Sequence, residues 1–439
     1  MSRYQLATAG EVEEAVRATV ECCEVIDLHT HLFPPSHGDL MLYGIDELLT
    51  YHYLVSEFFM IAPLSITHDL FFKLSKREQA DLIWEYLFVK RLPISEAQLG
   101  VLTTLQMLGL EDYIKSKDLN AIRAWYAKQD PYQYARRVFK IAGVKYAVMT
   151  NVPFDEDEAK YFRSDDNGGD DNNNISSNKY PIPTFLKTAL RIDPLLKGDW
   201  GTICKCLTLE KLPHDIEGCK EYLRIWARRI KPMYLMASTP ADFQYGPHDK
   251  PRQEGWPSAT ELIDDVMIVI AKELNLPLAM KIGPWRGMSP DLNPCGGGDG
   301  VVVADVKPLR ELCFKNPDVK FLATFLSRVN QHEVCVLAQK FRNLHLYGCW
   351  WYLNNPSIIE EMTKMRVEML GTAFTAQHSD CRILDQLMYK WKHSRKVISN
   401  VLVEYYLKLY KVGWSLTQHD IVTDVNRFLG GSFEEFMNK

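Results

Sequence analysis

The chain has 439 residues, 46% hydrophobic and 24% charged, a soluble globular balance with ample apolar material for a buried core. Its 51 Lys and Arg against 56 Asp and Glu give a formal net charge of -5, which argues against a dedicated nucleic-acid binder. No apolar run approaches the ~18 residues of a membrane span, and the polar amino-terminal stretch lacks the apolar core of a secretory signal. The ten cysteines are scattered, with one Cys204-x-Cys206 pair and no zinc-ribbon spacing. The expectation is a cytoplasmic protein with reduced thiols and no nucleic-acid or membrane partner.

In chain order, apolar strand-like runs fall at 25–28, 145–150, 188–192, 233–237, 278–282, 320–325, 344–348 and 372–375. Most lack polar alternation, as strands covered on both faces do. Amphipathic stretches such as LIDDVMIVIAKEL and PSIIEEMTKMRVEML separate them, with apolar residues recurring at three and four. Eight strands alternating with helices predict an α/β fold, a parallel (β/α)8 barrel of the TIM type forming one domain over 1–439. A doubly wound sheet is the runner-up, but no glycine-rich turn follows the first strand. About 35–140 reads as helix almost throughout. It is expected to be an insertion after strand one that covers the catalytic face. SDDNGGDDNNNISSN at 164–178 has no apolar content and reads as a mobile surface loop. NPCGGGDGV at 293–301 lacks the Lys-Ser/Thr of a nucleotide loop and reads as a flexible loop.

The first strand ends in VIDLHTHLF. Residues two apart in a strand share a face, so His29 and His31 point the same way at the carboxyl end, where such barrels hold their active sites. Paired imidazoles suit a divalent metal. At the other end of the chain GTAFTAQHSDCR follows the predicted eighth strand, which a closed barrel places beside the first. Asp380 then reaches the same metal and can ligate it, carry a proton, or both. Its alternative role is capping the next helix. His378 reads as a loop histidine.

In TYHYLVSE of the insertion, His52 shares a helical stripe with Ile45, Leu48, Leu49 and Val55, so a core role competes with a functional one. Tyr53 would serve as a base only if a neighbour such as Arg382 lowered its pKa. Arg191, Arg286 and Arg328 stand near strand ends, and guanidinium forks bind carboxylates. A small anionic substrate is the implication, though surface pairing is preferred for Arg286. Trp350 and Trp351 end strand seven and offer a sugar-binding floor or plain packing.

Together the H-T-H strand, DELLTYHYLVSEFF, SKREQADLIWE, ALRIDPLL, SRVNQHE, GCWWYLNNP and QHSDCRILDQLMYKWKHS resemble the uronate (glucuronate) isomerases of the amidohydrolase superfamily, most closely their Bacillus-type branch. The resemblance runs from about residue 20 to 430. It implies a distorted (β/α)8 barrel with a helical insertion after strand one. It also implies aldose–ketose isomerisation of D-glucuronate to D-fructuronate and D-galacturonate to D-tagaturonate. By position it places metal ligands on His29, His31 and Asp380, catalytic-helix residues on His52 and Tyr53, and arginines on Arg191 and Arg382.

The superfamily's hydrolases add a lysine or acid on strand four and histidines on strands five and six. MYLMA, LAMKI and KFLATF show none of these, which leaves one loosely held ion, zinc first, then manganese or iron. The expected chemistry opens the sugar with Asp380 as proton acceptor, then moves the C2 hydrogen to C1 through a cis-enediol. Tyr53 acts as phenolate, Arg382 stabilises the enediolate, and Arg191, His52, Arg328 and Trp350 hold the substrate. A hydride shift is the rival route. A metal-dependent hydrolase or decarboxylase acting on a small anion is the rival function. A homo-oligomer is expected.

Overall fold

The computed structural model describes residues 4–163 and 181–439, so the stretch expected as a mobile loop at 164–178 lies outside the described residues. Seven strands form one sheet: Val25–Thr30, Val144–Asn151, Leu186–Arg191, Leu235–Ser238, Leu278–Ile282, Phe321–Phe325 and Leu344–Leu346. They pair side by side in sequence order, every pair parallel. The sheet curls into a distorted (β/α)8 barrel with helices outside. Where an eighth strand is expected at 372–375, only a bridge remains, Thr375 beside Tyr347. Closure comes from main-chain bonds instead: His31 N–H donates to Cys381 C=O at 2.7 Å, and Asp380 N–H to His29 C=O at 3.0 Å. The edge of the sheet is thereby satisfied without a regular strand.

Inside the barrel, one strand residue in two packs into a small apolar cluster that includes Ile26, Leu28, Tyr146, Val148, Ala189, Met236, Ala279 and Leu322. Two larger clusters lie between strands and outer helices. This alternation aims Thr150, Arg191, Ser238 and Lys281 at the carboxyl end of the barrel, each at the next inward position beyond a core residue.

The span between the first two strands folds into eight α-helices, from Ile45–Leu49 to Pro131–Ala142, among shorter turns. Sequence signals set their ends: Ser75 with Glu78, and Ser95 with Gln98, form capping boxes, and Pro131 occupies a first helical turn. The stretch at 293–301, expected to be flexible, is part of an ordered excursion from the fifth strand. Pro284–Trp285 pairs antiparallel with Gly300–Val301, and Ser289 N–H donates to Gly298 C=O at 2.8 Å. Here glycine is required by space, since a Cβ on Gly298 would lie 1.9 Å from Asn293 Oδ1. All ten cysteines are free thiols, as expected. Among the described residues no helix is long and apolar enough to cross a membrane.

Candidate active site

A cavity of about 970 Å³ opens at the carboxyl ends of the strands. The insertion walls it with Leu42, Thr50, Tyr51 and His52, and the excursion after strand five adds Asn293, Gly296 and Asp299.

His29 and His31 reach this cavity by a local irregularity. Ile26 and Leu28 belong to the inner cluster, so unbroken alternation would turn both histidines to the outer face with Asp27. The register of strand one against strand two shifts between Asp27 and Thr30, and this re-phases the chain inward. Asp27 remains outside, buried, accepting from Ser379 N–H at 3.0 Å and Trp391 Nε1–H at 2.9 Å. It ties strand one to the segment that carries Asp380. That aspartate adopts a left-handed backbone, φ 52°, which aims its carboxylate back at strand one. It caps no helix, since the following helix begins only at Gln386.

Asp380 Oδ1 lies 3.0 Å from His29 Nε2 and 3.6 Å from His31 Nε2. These donor atoms all fall within 4.8 Å of one another, a group able to hold a metal ion. Thr150 Oγ1 at 3.0 Å from His31 Nδ1 orients that ring and leaves its Nε2 for the site. Burial pushes the pKa of His31 down to about 4 and that of His29 well below its ordinary value. Burial opposes ionisation of Asp380 too, but the Lys281 charge and the two imidazoles beside it hold its carboxyl well below the usual carboxylate range. Neutral imidazoles and an ionised carboxylate are the protonation states a divalent ion needs. The donor set fits one.

Lys281 is the residue that sequence reasoning missed. Its Nζ stands 2.6 Å from His29 Nε2 and 2.7 Å from Asp380 Oδ1, and 4.4 Å from the centre of the Trp350 ring. The side chain is fully buried, and burial pushes its pKa down to about 7, against the pull of Asp380. LAMKI lacks the superfamily histidine, but its alternation from Ala279 already pointed the lysine inward. Glu158 was missed as well: it lines the cavity, accepts from Val152 N–H at 2.9 Å, and burial pushes its carboxyl up to about 7.

His52, Trp350, Arg191 and Arg382 line the cavity. Burial pushes the His52 pKa down to about 3, so the ring is neutral. Arg191 pairs with Asp193, while Arg382 is exposed and makes no ion pair among the described residues. Arg286 pairs with Asp299 on the cavity wall. Arg328 does not reach the site. Its side chain is 62% exposed and bound to Glu361 at 2.7 Å, because the turn after strand six carries it outward. The phenolate role expected of Tyr53 has burial working against it. Burial pushes its pKa well above the ordinary value, and Arg382 does not offset that. The tyrosine on the wall is Tyr51, whose ring lies 5.1 Å from that of Tyr53; it feels Arg382, yet burial keeps it protonated too. His378 lies on the irregular segment after Thr375, as expected of a loop histidine, but it is fully buried, its ring 5.4 Å from that of His29.

A parallel barrel with a histidine pair at the end of its first strand and an aspartate where strand eight would end presents a candidate metal centre at the carboxyl ends of the strands. The chain is similar over its whole length to a uronate isomerase from Bacillus halodurans, 38% identical, covering 99% of this chain and 98% of that one with a TM-score of 0.89. It belongs to the uronate isomerase family. A uronate isomerase from Thermotoga maritima (14% identity, 97% of each chain, TM-score 0.74) shares the fold. So does a glucuronate isomerase from Caulobacter crescentus (13% identity, 98% of this chain and 94% of that one, TM-score 0.72). No family model and no curated protein matches.

Proposed function

We propose that the protein interconverts D-glucuronate with D-fructuronate and D-galacturonate with D-tagaturonate through a cis-enediol. The observation that carries this reading is the carboxylate of Asp380, held at the donor group of His29 and His31 in a cavity lined by Arg191 and Arg382. Zinc suits two imidazoles and a carboxylate, ahead of manganese or iron, and when bound would polarise and orient the oxygens of the sugar acid.

The remaining work falls to the chain itself. Arg191 and Arg382 offer planar forks to the substrate carboxylate and hydroxyls. Ring opening needs an acceptor for the anomeric hydroxyl proton, and Asp380 is the carboxylate beside the site; as the bond from C1 to the ring oxygen breaks, it passes that proton to the ring oxygen and is a free carboxylate again. The open aldehyde then loses its C2 hydrogen as a proton to the same carboxylate, the C2 electron pair forms the C1–C2 double bond, and the carbonyl oxygen takes a proton. Tyr51, held as a phenol on the cavity wall, is suited to give that proton and to carry protons between the C1 and C2 oxygens. Return of the proton from Asp380 to C1 completes the ketose. His52, neutral, binds a hydroxyl, and Trp350 supplies an apolar floor. Tyr53, its ring 5.1 Å from that of Tyr51, positions that wall tyrosine.

A hydrolase or decarboxylase is not favoured, because among the described residues one group alone suits a metal, and a two-metal centre has no second set. The proposal includes a small sugar acid as partner rather than nucleic acid or membrane, a homo-oligomeric assembly, and a cytoplasmic address. It is tested by incubating the protein with D-glucuronate and with D-galacturonate and following keto-acid product by proton NMR. Product from the wild type that disappears in Asp380→Asn supports the assignment, and no product from either sugar refutes it.

A further inference from the structure

We infer that Lys281 is a built-in rival of the metal ion. Its ammonium holds His29 and Asp380 when no ion is bound, and it must withdraw for an ion to enter. The inference rests on reading His29, His31 and Asp380 as the cation site. Nζ donates to His29 Nε2 and Asp380 Oδ1, two of the three atoms that would ligate a metal. An imidazole nitrogen has one lone pair, so His29 Nε2 cannot serve the lysine and a metal together. With Nε2 accepting, the His29 proton sits on Nδ1, a buried atom without a hydrogen-bond partner.

The lysine cannot leave cheaply. Its fully buried side chain has the Trp350 ring 4.4 Å away, and among the described residues its charge is balanced by the Asp380 carboxylate alone. Withdrawal therefore costs the buried Lys281–Asp380 ion pair. A divalent ion repays this with its own charge, but the net gain is smaller than at a site whose ligands are free. The result is a site that binds metal weakly and reversibly, and whose ligand side chains stay in place when metal departs. Only the inward register of strand five, set at Ala279, puts a cation at this point.

The test measures zinc affinity directly by competition with a fluorescent zinc chelator, for wild type, Lys281→Met, Lys281→Gln and His31→Ala. Melting temperatures are recorded with and without chelator. Lys281→Met is expected to bind zinc at least tenfold more tightly than wild type, with Lys281→Gln between them. Chelation is expected to lower the melting temperature of Lys281→Met while leaving that of wild type unchanged. A Lys281→Met protein that folds only when zinc is supplied supports the inference, and Lys281→Gln then provides the affinity. Equal or weaker zinc binding by both Lys281 variants overturns it. If His31→Ala binds zinc as well as wild type does, the cation site itself has been misplaced, an outcome distinct from a failure of the lysine's role.

Discussion

Asp27 offers the sharpest test of how the site is held. Its carboxylate is fully buried and accepts from Ser379 N–H at 3.0 Å, Trp391 Nε1–H at 2.9 Å and, more weakly, His29 N–H at 3.4 Å. Replacing it with alanine strands the two better donors in a dry interior, at about 1–3 kcal/mol each. Part of that is returned, because burial raises the Asp27 pKa and the ionised group is itself costly to bury. The net loss expected for Asp27→Ala is about 2–4 kcal/mol at neutral pH. Asp27→Asn keeps one acceptor oxygen and turns its amide toward the other donor, so roughly half that loss is expected. Urea unfolding followed by tryptophan fluorescence measures both, and turnover should fall in parallel because Ser379 immediately precedes Asp380. An Asp27→Ala protein within about 0.5 kcal/mol of wild type would refute the reasoning, since stranded buried donors cannot be that cheap.

Three further outcomes follow from single positions. Glu158 is pushed up to about 7 from an ordinary 4.5, so the folded state keeps a proton that the unfolded chain has lost between those values. Stability attributable to this group is fully present below about 4.5 and is lost as pH rises through 7, by about 3 kcal/mol in all. Unfolding free energies at pH 5 and 8 should therefore diverge less in Glu158→Gln than in wild type, and identical profiles would count against its burial. A Cβ at Gly348 would lie 1.6 Å from His378 Nδ1, with the backbone at φ 67°. Gly348→Ala should accordingly lose at least about 3 kcal/mol in thermal unfolding, and a stable variant would show that His378 moves freely. Arg328→Ala removes one exposed ion pair and should change stability by less than about 1 kcal/mol with unaltered kcat/KM; a large rise in KM would return Arg328 to the substrate.

Much of this molecule is legible in local pattern. Buried parallel strands are nearly continuous apolar runs, so LAMKI at strand five was found with both its boundaries. The helical span after strand one shows in its three-and-four periodicity, and its ends in cap residues such as Ser75 and Ser95. The metal-binding candidates His29, His31 and Asp380 were legible because a barrel's closure brings distant strand ends together. Even so, the histidines share a face inward only because of an irregularity that no alternation rule contains.

What the sequence could not show is set by distance across the barrel. Lys281 meets His29 over a separation of 252 residues, and nothing in either strand alone says which inward residue faces which. The protonation of Tyr53 likewise depends on how deeply neighbouring elements bury it, and the outward turn of Arg328 on a few backbone angles after strand six. Periodicity and capping are local, so composition and order determined the elements, their succession and the residue types at the site. Burial, charge balance and reach are sums over contacts from many segments. Only the closed tertiary structure decided which ammonium, carboxylate and imidazole share a single point in space.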